Sequence, residues 1–284
     1  MGVDPFIKNL ESIVGKRNVI FHPEDLLAFE YDGSIDKGLP EAVVLPSSAE
    51  EVRQVIILAY DAGIPVVGRG SGTGLSAGAV ASMGGIQIVF SRMNKILEID
   101  TENRLAVVEP GVINWDLDKS SRKYGLRYAP DPSSQKACTI GGNVAENAGG
   151  PHCLLYGVTS NHVLALEIVL EDGNVVWLGD RVRELPGYDL RGVFIGSEGT
   201  FGLVTKVVVK LMPLPEATKT LLGIFPDIES ACSAVSAVIG KGIVPAALEM
   251  IDDLAIKAVG KVMKAGYPED AGAILLAEIE GMLE

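Results

Sequence analysis

Apolar residues follow two distinct rhythms along this chain. Val52, Val55, Ile56 and Ala59 recur at three- and four-residue spacing and predict a helix. Ser47 and Ser48 stand three residues before Glu50 and Glu51, a capping-box signature for its start, and Gly63 supplies its end. The runs at 42–45 and 64–67 on either side are short, apolar and strand-like. Together they predict a β-α-β unit with parallel strands and a right-handed crossover. Further strands are expected at 86–90, 104–109, 163–170, 174–178 and 203–211, with a short amphipathic helix at 114–124. Glu171, Asp172 and Gly173 join two of these strands as a hairpin. Pro213 and Pro215 close the last of them. The pattern then restarts with a strand at 220–225, helices at 228–239 and 251–265, and a strand at 273–278, in the order β-α-α-β. This punctuation divides the chain into domains at 1–216 and 217–284.

With 284 residues, 48% of them hydrophobic, the chain has material for a large core and two domains. A net charge of −13 argues against a nucleic-acid backbone or an anionic membrane surface as partner. No run reaches the ~18 apolar residues expected of a membrane span. The first residues carry Asp4, Lys8 and Glu11 and do not read as a signal peptide. Cys138, Cys153 and Cys232 are too few and too scattered for a disulfide framework, which points to a reducing, cytoplasmic setting.

Glycine changes the picture. There are 33, gathered at 68–85, 141–150 and 196–202, where backbone would lie close to a ligand. The first cluster, Val67-Gly68-Arg69-Gly70-Ser71-Gly72-Thr73-Gly74-Leu75, follows a strand, so its amides can converge on an anion. Ser71, Thr73 and Ser76 add hydroxyl donors, and Arg69 faces either a phosphate or solvent. A dinucleotide-binding βαβ fingerprint requires a helix directly after such a loop. Here Gly78, Gly84 and Gly85 break the stretch before the next strand, and no helix fits. A P-loop is excluded because no Gly-Lys-Ser/Thr follows. The second cluster runs from Cys138 and Thr139 through Gly141, Gly142, Asn143, Ala145, Asn147 and Ala148 to Gly149 and Gly150. It reads equally as a flat wall against a planar ring or as tight helix–sheet packing. Asn143 and Asn147, four apart, would share a helix face. The third, Gly196-Ser197-Glu198-Gly199-Thr200-Phe201-Gly202-Leu203-Val204-Thr205, lies between a helix and a core strand.

These motifs, with Pro130-Asp131-Pro132-Ser133-Ser134 and Gly150-Pro151-His152-Cys153-Leu154-Leu155-Tyr156-Gly157, occur in an order that resembles the vanillyl-alcohol-oxidase/PCMH family of flavoproteins. Within it the chain is similar to the branch of bacterial glycolate oxidase, D-lactate dehydrogenase and D-2-hydroxyglutarate dehydrogenase. The resemblance spans essentially the whole chain. It implies an α+β fold: a two-subdomain PCMH-type FAD-binding domain followed by the start of an α+β cap domain. It implies FAD, bound with its pyrophosphate on Val67 to Leu75. The flavin would run along Pro132, Cys138 and Thr139. Gly141, Gly142, Ala145, Asn147, Ala148 and Gly149 would pack near it, and Glu198, Gly202, Leu203 and Val204 would line it. Relatives with covalent flavin carry a histidine near the position of Thr73, so binding here is expected to be non-covalent.

The implied reaction is oxidation of a small 2-hydroxy acid, glycolate or D-lactate, to the keto acid. Electrons would leave through an iron–sulfur or other accepting subunit. The alternative is a non-catalytic FAD-binding companion subunit. His22, His152 and His162 show no metal-ligand spacing, so no metal site is expected within the chain. His152 alone adjoins a cofactor motif, where a place at the flavin edge competes with ordinary hydrogen bonding. Asp252 and Asp253 are expected to cap a helix. In the family the histidine-rich substrate and metal motif lies further along, so the chain reads as truncated before its catalytic groups.

Overall fold

A computed structural model describes residues 5–181, 186–262, 266–268 and 270–282. Its contacts separate into two units, one of Met1–Ala148 with Thr159–Met212, the other of Gly149–Val158 with Pro213–Glu284.

The first unit holds two sheets. In the four-stranded sheet the order is Val19–Ile20, Ala42–Val44, Ile86–Val89, Val66–Arg69. The strands on either side of the helix Ala49–Ala62 are therefore parallel but not neighbours, because Ile86–Val89 lies between them and pairs with both. All four of its residues are buried, so the run best able to bury both faces takes the centre. The helix forms as its spacing predicts. Ser48 Oγ accepts the Glu51 amide, while the Glu51 carboxylate takes the Ser47 amide and hydroxyl. Gly63, at φ 64, closes it. Val52, Val55, Ile56 and Ala59 face a core shared with Ile86, Ile88 and Leu10 of the helix Pro5–Val14, an element not among the expected ones although Phe6, Leu10 and Ile13 recur at helical spacing.

The second sheet is antiparallel: Ile96–Asp100, Leu105–Val108, Leu203–Lys210, Val163–Val169, Val175–Gly179. Its central strands are β-branched, and their inward residues Val207, Val209, Leu166 and Ile168 pack on Ile140, Val144 and Leu117. Those three belong to the helices Ile140–Glu146 and Asn114–Arg122.

The second unit contains an antiparallel sheet ordered Ala217–Phe225, Ala273–Gly281, Ala247–Asp252, with the helices Ile228–Gly240 and Asp253–Val262. The expected order β-α-α-β is thus corrected to β-α-β-α-β. Ala247, Leu248, Glu249 and Met250 have helical propensity, but pairing with Ala273–Gly281 overrides it. The second helix consequently starts at Asp253 rather than 251. The Asp252 carboxylate accepts the Ala255 amide at 2.7 Å, the capping role expected of it. Residues 263–265 of that predicted helix lie outside the described residues.

Candidate functional site

The three glycine clusters meet in the first unit, and local hydrogen bonding explains how. The helix Ile140–Glu146 begins on Thr139, whose hydroxyl accepts the Gly142 amide at 3.2 Å. It ends at Asn147 in the left-handed conformation, φ 49, and the Asn143 carbonyl accepts from Ala148. Two further carbonyls at this end, of Val144 and Ala145, are taken at 2.9 Å by the amides of Gly196 and Glu198. The third cluster thereby satisfies the end of the helix formed by the second.

The first cluster closes on the same helix. A methyl group on Gly70 would stand 2.4 Å from Thr139 Oγ1, so only a bare backbone passes the cap. A methyl on Gly68 would stand 2.7 Å from Leu203, and one on Gly78 would stand 2.4 Å from the Glu146 carboxylate. No helix follows the loop; residues 70–85 are turns and bends up to the strand at Ile86. The loop is tied to the chain before it by the Gly33 amide on the Gly74 carbonyl, 2.9 Å.

Arg69 is not a surface residue. It is 7% exposed, with Nη1 donating to the Ala79 carbonyl at 3.3 Å and the guanidinium over the Phe29 ring. Burial lowers its pKa, with Asp32 pulling the other way. Gly72, at φ 67, lies directly beneath this guanidinium. Arg69 therefore braces the loop from within.

Charge is distributed unevenly along the loop. Its Gly74–Gly78 end faces Glu146, whose carboxyl pKa is raised by burial first and then by Glu198 and Asp32. Its Gly70–Ser71 end opens on a cavity of about 210 Å³ lined also by Thr139, Ser91, Asn94, Asp116 and the backbone of Gly111. The Gly74–Gly78 end thus faces the Glu146 and Glu198 carboxylates, while the Gly70–Ser71 end opens on hydroxyls, Asn94, backbone and the single carboxylate of Asp116.

The remaining sequence-predicted positions divide clearly. Cys138 is buried, its thiol pKa raised by burial, and its amide bonds the Ser134 carbonyl. Pro132 lies buried in the turn before it, its carbonyl accepting from Gln135. Gly202, Leu203 and Val204 lead into the core strand, and Glu198 adopts φ 55. Val67 and Gly141 are half-buried, Thr73 is half-buried within the loop, and Leu75 is 79% exposed. Gly149 falls in the second unit. Asn143 and Asn147 do not share a helix face. Asn143 is buried, its amide donating to Asn114 Oδ1, whereas the left-handed turn carries Asn147 off the helix to accept from the Ser160 amide. Asp32, Ser91, Asn94 and Asp116 escaped the sequence reading because none lies inside a glycine run, and Glu146 lies inside one but was given no role. Of the non-glycine residues at positive φ, Ala77, Asn147 and Glu198 are in these loops, and Arg104 is in the turn before the strand Leu105–Val108.

In the second unit, the segment Gly149–Val158 brings His152 Nε2 to 3.0 Å from Glu278 Oε1 and Tyr156 Oη onto the Glu280 carboxylate. These partners are 126 and 124 residues apart in the chain.

Comparison with known proteins agrees with this geometry. Residues 40–179 match the FAD binding domain family, and residues 214–284 match the C-terminal domain of FAD linked oxidases. The chain is 44% identical over 265 residues to glycolate oxidase subunit GlcD of Escherichia coli (strain K12), covering 93% of this chain and 53% of that protein. It is 38% identical over 255 residues to D-lactate dehydrogenase of Anaerostipes hadrus, covering 87% and 54%. With D-2-hydroxyglutarate dehydrogenase of Stutzerimonas stutzeri (strain A1501) the identity is 34% over 289 residues, covering 99% and 61%. The chain thus spans little more than half the length of these curated relatives. Among solved structures, p-cresol methylhydroxylase shares the fold at a TM-score of 0.84 with 20% identity, covering 98% of this chain and 60% of that one. Alkyldihydroxyacetonephosphate synthase does so at 0.83 with 22%, covering 99% and 57%. Three converging glycine loops, a phosphate-sized opening without a following helix, and two successive domain matches place this chain in the family of FAD-linked oxidases.

Proposed function

We propose that this chain supplies the FAD-holding part of a dehydrogenase that oxidises a small 2-hydroxy acid, glycolate or D-lactate, to the 2-keto acid, with electrons passed to a separate acceptor. The observation that carries the reading is the convergence of Gly70, Ser71 and Thr139 on one cavity, at the end of the loop away from Glu146 and Glu198.

The residues present fit the cofactor. Backbone at Gly70 and hydroxyls of Ser71 and Thr139 suit phosphate oxygens, and Asn94 and Asp116 suit sugar hydroxyls. At about 210 Å³ the cavity is smaller than the ~300–1,000 Å³ of a whole ligand pocket, so it suits the phosphate and ribose portion of a dinucleotide. Arg69, held by Ala79 and Phe29, contributes by fixing the loop and not by contacting the anion. FAD, when bound, supplies the acceptor for the hydride removed from the hydroxy-acid carbon. The identities to GlcD and D-lactate dehydrogenase support the substrate class.

The test is spectroscopic. Purified chain supplied with FAD should retain flavin absorbance through gel filtration, and Gly70→Val should not, because its side chain displaces Thr139. Lack of flavin retention by the unsubstituted chain would overturn the cofactor assignment. Glycolate or D-lactate, added anaerobically to the full-length protein, should bleach the flavin. Flavin retained without bleaching by either acid would favour a companion subunit that binds the cofactor without this chemistry.

A further inference from the structure

The second unit contains a group of ligating side chains that the flavin reading does not use. His152, Glu278 and Glu280 present one nitrogen and two carboxylate oxygens, all within 4.8 Å of one another. They are part-buried, not free on the surface.

The arrangement follows from two periodicities. Glu278 and Glu280 are two apart on the strand Ala273–Gly281, so they project from the same face of the sheet. His152 and Tyr156 are four apart, flanking one helical turn, Cys153–Tyr156, so they point the same way. One turn of helix thus lays two side chains on two glutamates, His152 on Glu278 and Tyr156 on Glu280.

The spacing suits an ion. With bonds of ~2.0–2.2 Å, neighbouring ligands of a tetrahedral or octahedral shell lie ~3.0–3.5 Å apart. His152 Nε2 and Glu278 Oε1 are 3.0 Å apart. The 4.8 Å limit on the widest pair slightly exceeds the ~4.4 Å between opposite ligands, a gap that a small carboxylate rotation closes.

We propose that His152, Glu278 and Glu280 form a binding site for a divalent first-row transition metal, with the Tyr156 hydroxyl orienting the Glu280 carboxylate. One imidazole and two carboxylates select Zn²⁺ or Mn²⁺ over soft monovalent copper. Cys153 lies next to His152, but its Sγ accepts the Gly150 amide at 2.9 Å and is outside the set. Tyr156 acts as the outer hydrogen-bond partner that ligating carboxylates commonly have. The site is wholly within the second unit, so it stands or falls independently of flavin binding in the first.

The experiment is a calorimetric titration of the chelator-treated chain with ZnCl₂ and with MnCl₂, each alone. One equivalent should bind to the unsubstituted chain. Affinity should fall at least about tenfold in Glu278→Gln and His152→Asn, in line with loss of a ligand. Tyr156→Phe should cost less, and Cys153→Ser should bind normally. Flavin retention should be the same throughout, and unchanged circular dichroism and thermal melting certify that the variants fold. A second readout is spectroscopic: Mn²⁺ should broaden the imidazole proton signals of His152 in the unsubstituted chain and much less in Glu278→Gln. Absence of saturable binding, equal affinity in all variants, or equal broadening of His152 in both chains would each overturn the proposal.

Discussion

The glycine-lined site of the first unit and the His152 cluster of the second are built by opposite means. The first uses backbone. Its contacts are amides, carbonyls and hydroxyls on three glycine-marked stretches, as where Gly196 and Glu198 close the end of the helix Ile140–Glu146. The second uses side chains alone, delivered by elements more than a hundred residues apart in the chain. Backbone sites demand residues without side chains and write themselves into the sequence as glycine runs. Side-chain sites demand only that two ordinary residues arrive at one place, and nothing local announces them.

That contrast can be broken experimentally, most severely at Gly141. A methyl there would stand 2.6 Å from Pro110 Cβ and 3.0 Å from its carbonyl oxygen, both on a rigid partner. Gly141→Val should destabilise the first unit by about 1–3 kcal/mol and abolish flavin retention. Cation binding by the second unit should persist, as measured by calorimetry below the new melting temperature. Loss of both functions together would show that the two sites are not separable.

A smaller effect is expected at the helix start. Thr139→Ala removes the hydroxyl that accepts the Gly142 amide and should cost about 1 kcal/mol. In a domain of this size that lowers Tm by about 2–4 °C. Thr139→Ser, which keeps the hydroxyl, should recover most of it. Equal losses in both variants would mean that the methyl group's packing matters more than the cap.

The smallest effects concern pH, and here the two units should respond in opposite senses. The Asp227 carboxyl, which caps the helix Ile228–Gly240, is held below its ordinary value by the Ser230 hydroxyl and amide. A depressed folded pKa gives stability that is present above the ordinary carboxylate range and lost as pH falls through the depressed value. Asp227→Asn should therefore flatten the acid limb of the second unit's melting profile. Glu146 in the first unit is shifted upward, mainly by burial. The folded state then favours the proton, and the penalty for ionising appears as pH rises above the ordinary carboxylate range. Glu146→Gln should raise Tm slightly at neutral pH, by about a degree, with the gain vanishing in acid. Melting curves from about pH 3 to about pH 8 would check both signs. Added salt should weaken the exposed Asp227 effect more than the Glu146 effect.

Much of the fold was legible because its signals are local. The helix Ala49–Ala62 carries its cap, its stripe and its terminating glycine within one stretch, and all three act as the pattern suggests. The absence of a helix after Gly74 was likewise readable from Gly78, Gly84 and Gly85, and it separates this loop from the dinucleotide-binding βαβ type. What was missed is a strand without a local signal. Ala247, Leu248, Glu249 and Met250 carry no strand pattern, the helix was expected from 251, and only Ala273–Gly281 beside it makes Ala247–Asp252 a strand. The sequence left Arg69 open between a phosphate and solvent; its packing on Phe29 and its bond to the Ala79 carbonyl are set by the fold.

The sequence by itself determined the three glycine loops and the exclusion of a following helix, each from spacing within a dozen or so residues, where steric rules act directly. The family was legible only as a resemblance, carried by the order of those motifs along the whole chain. Tertiary structure alone decided which strand lies between Ala42–Val44 and Val66–Arg69, which end of the loop faces Glu146, and that His152 meets Glu278 and Glu280. Those outcomes depend on pairing register and on burial. Both are set by the whole of a unit's core, because a one-residue slip of the strand Ala273–Gly281 would turn both glutamates to the opposite face.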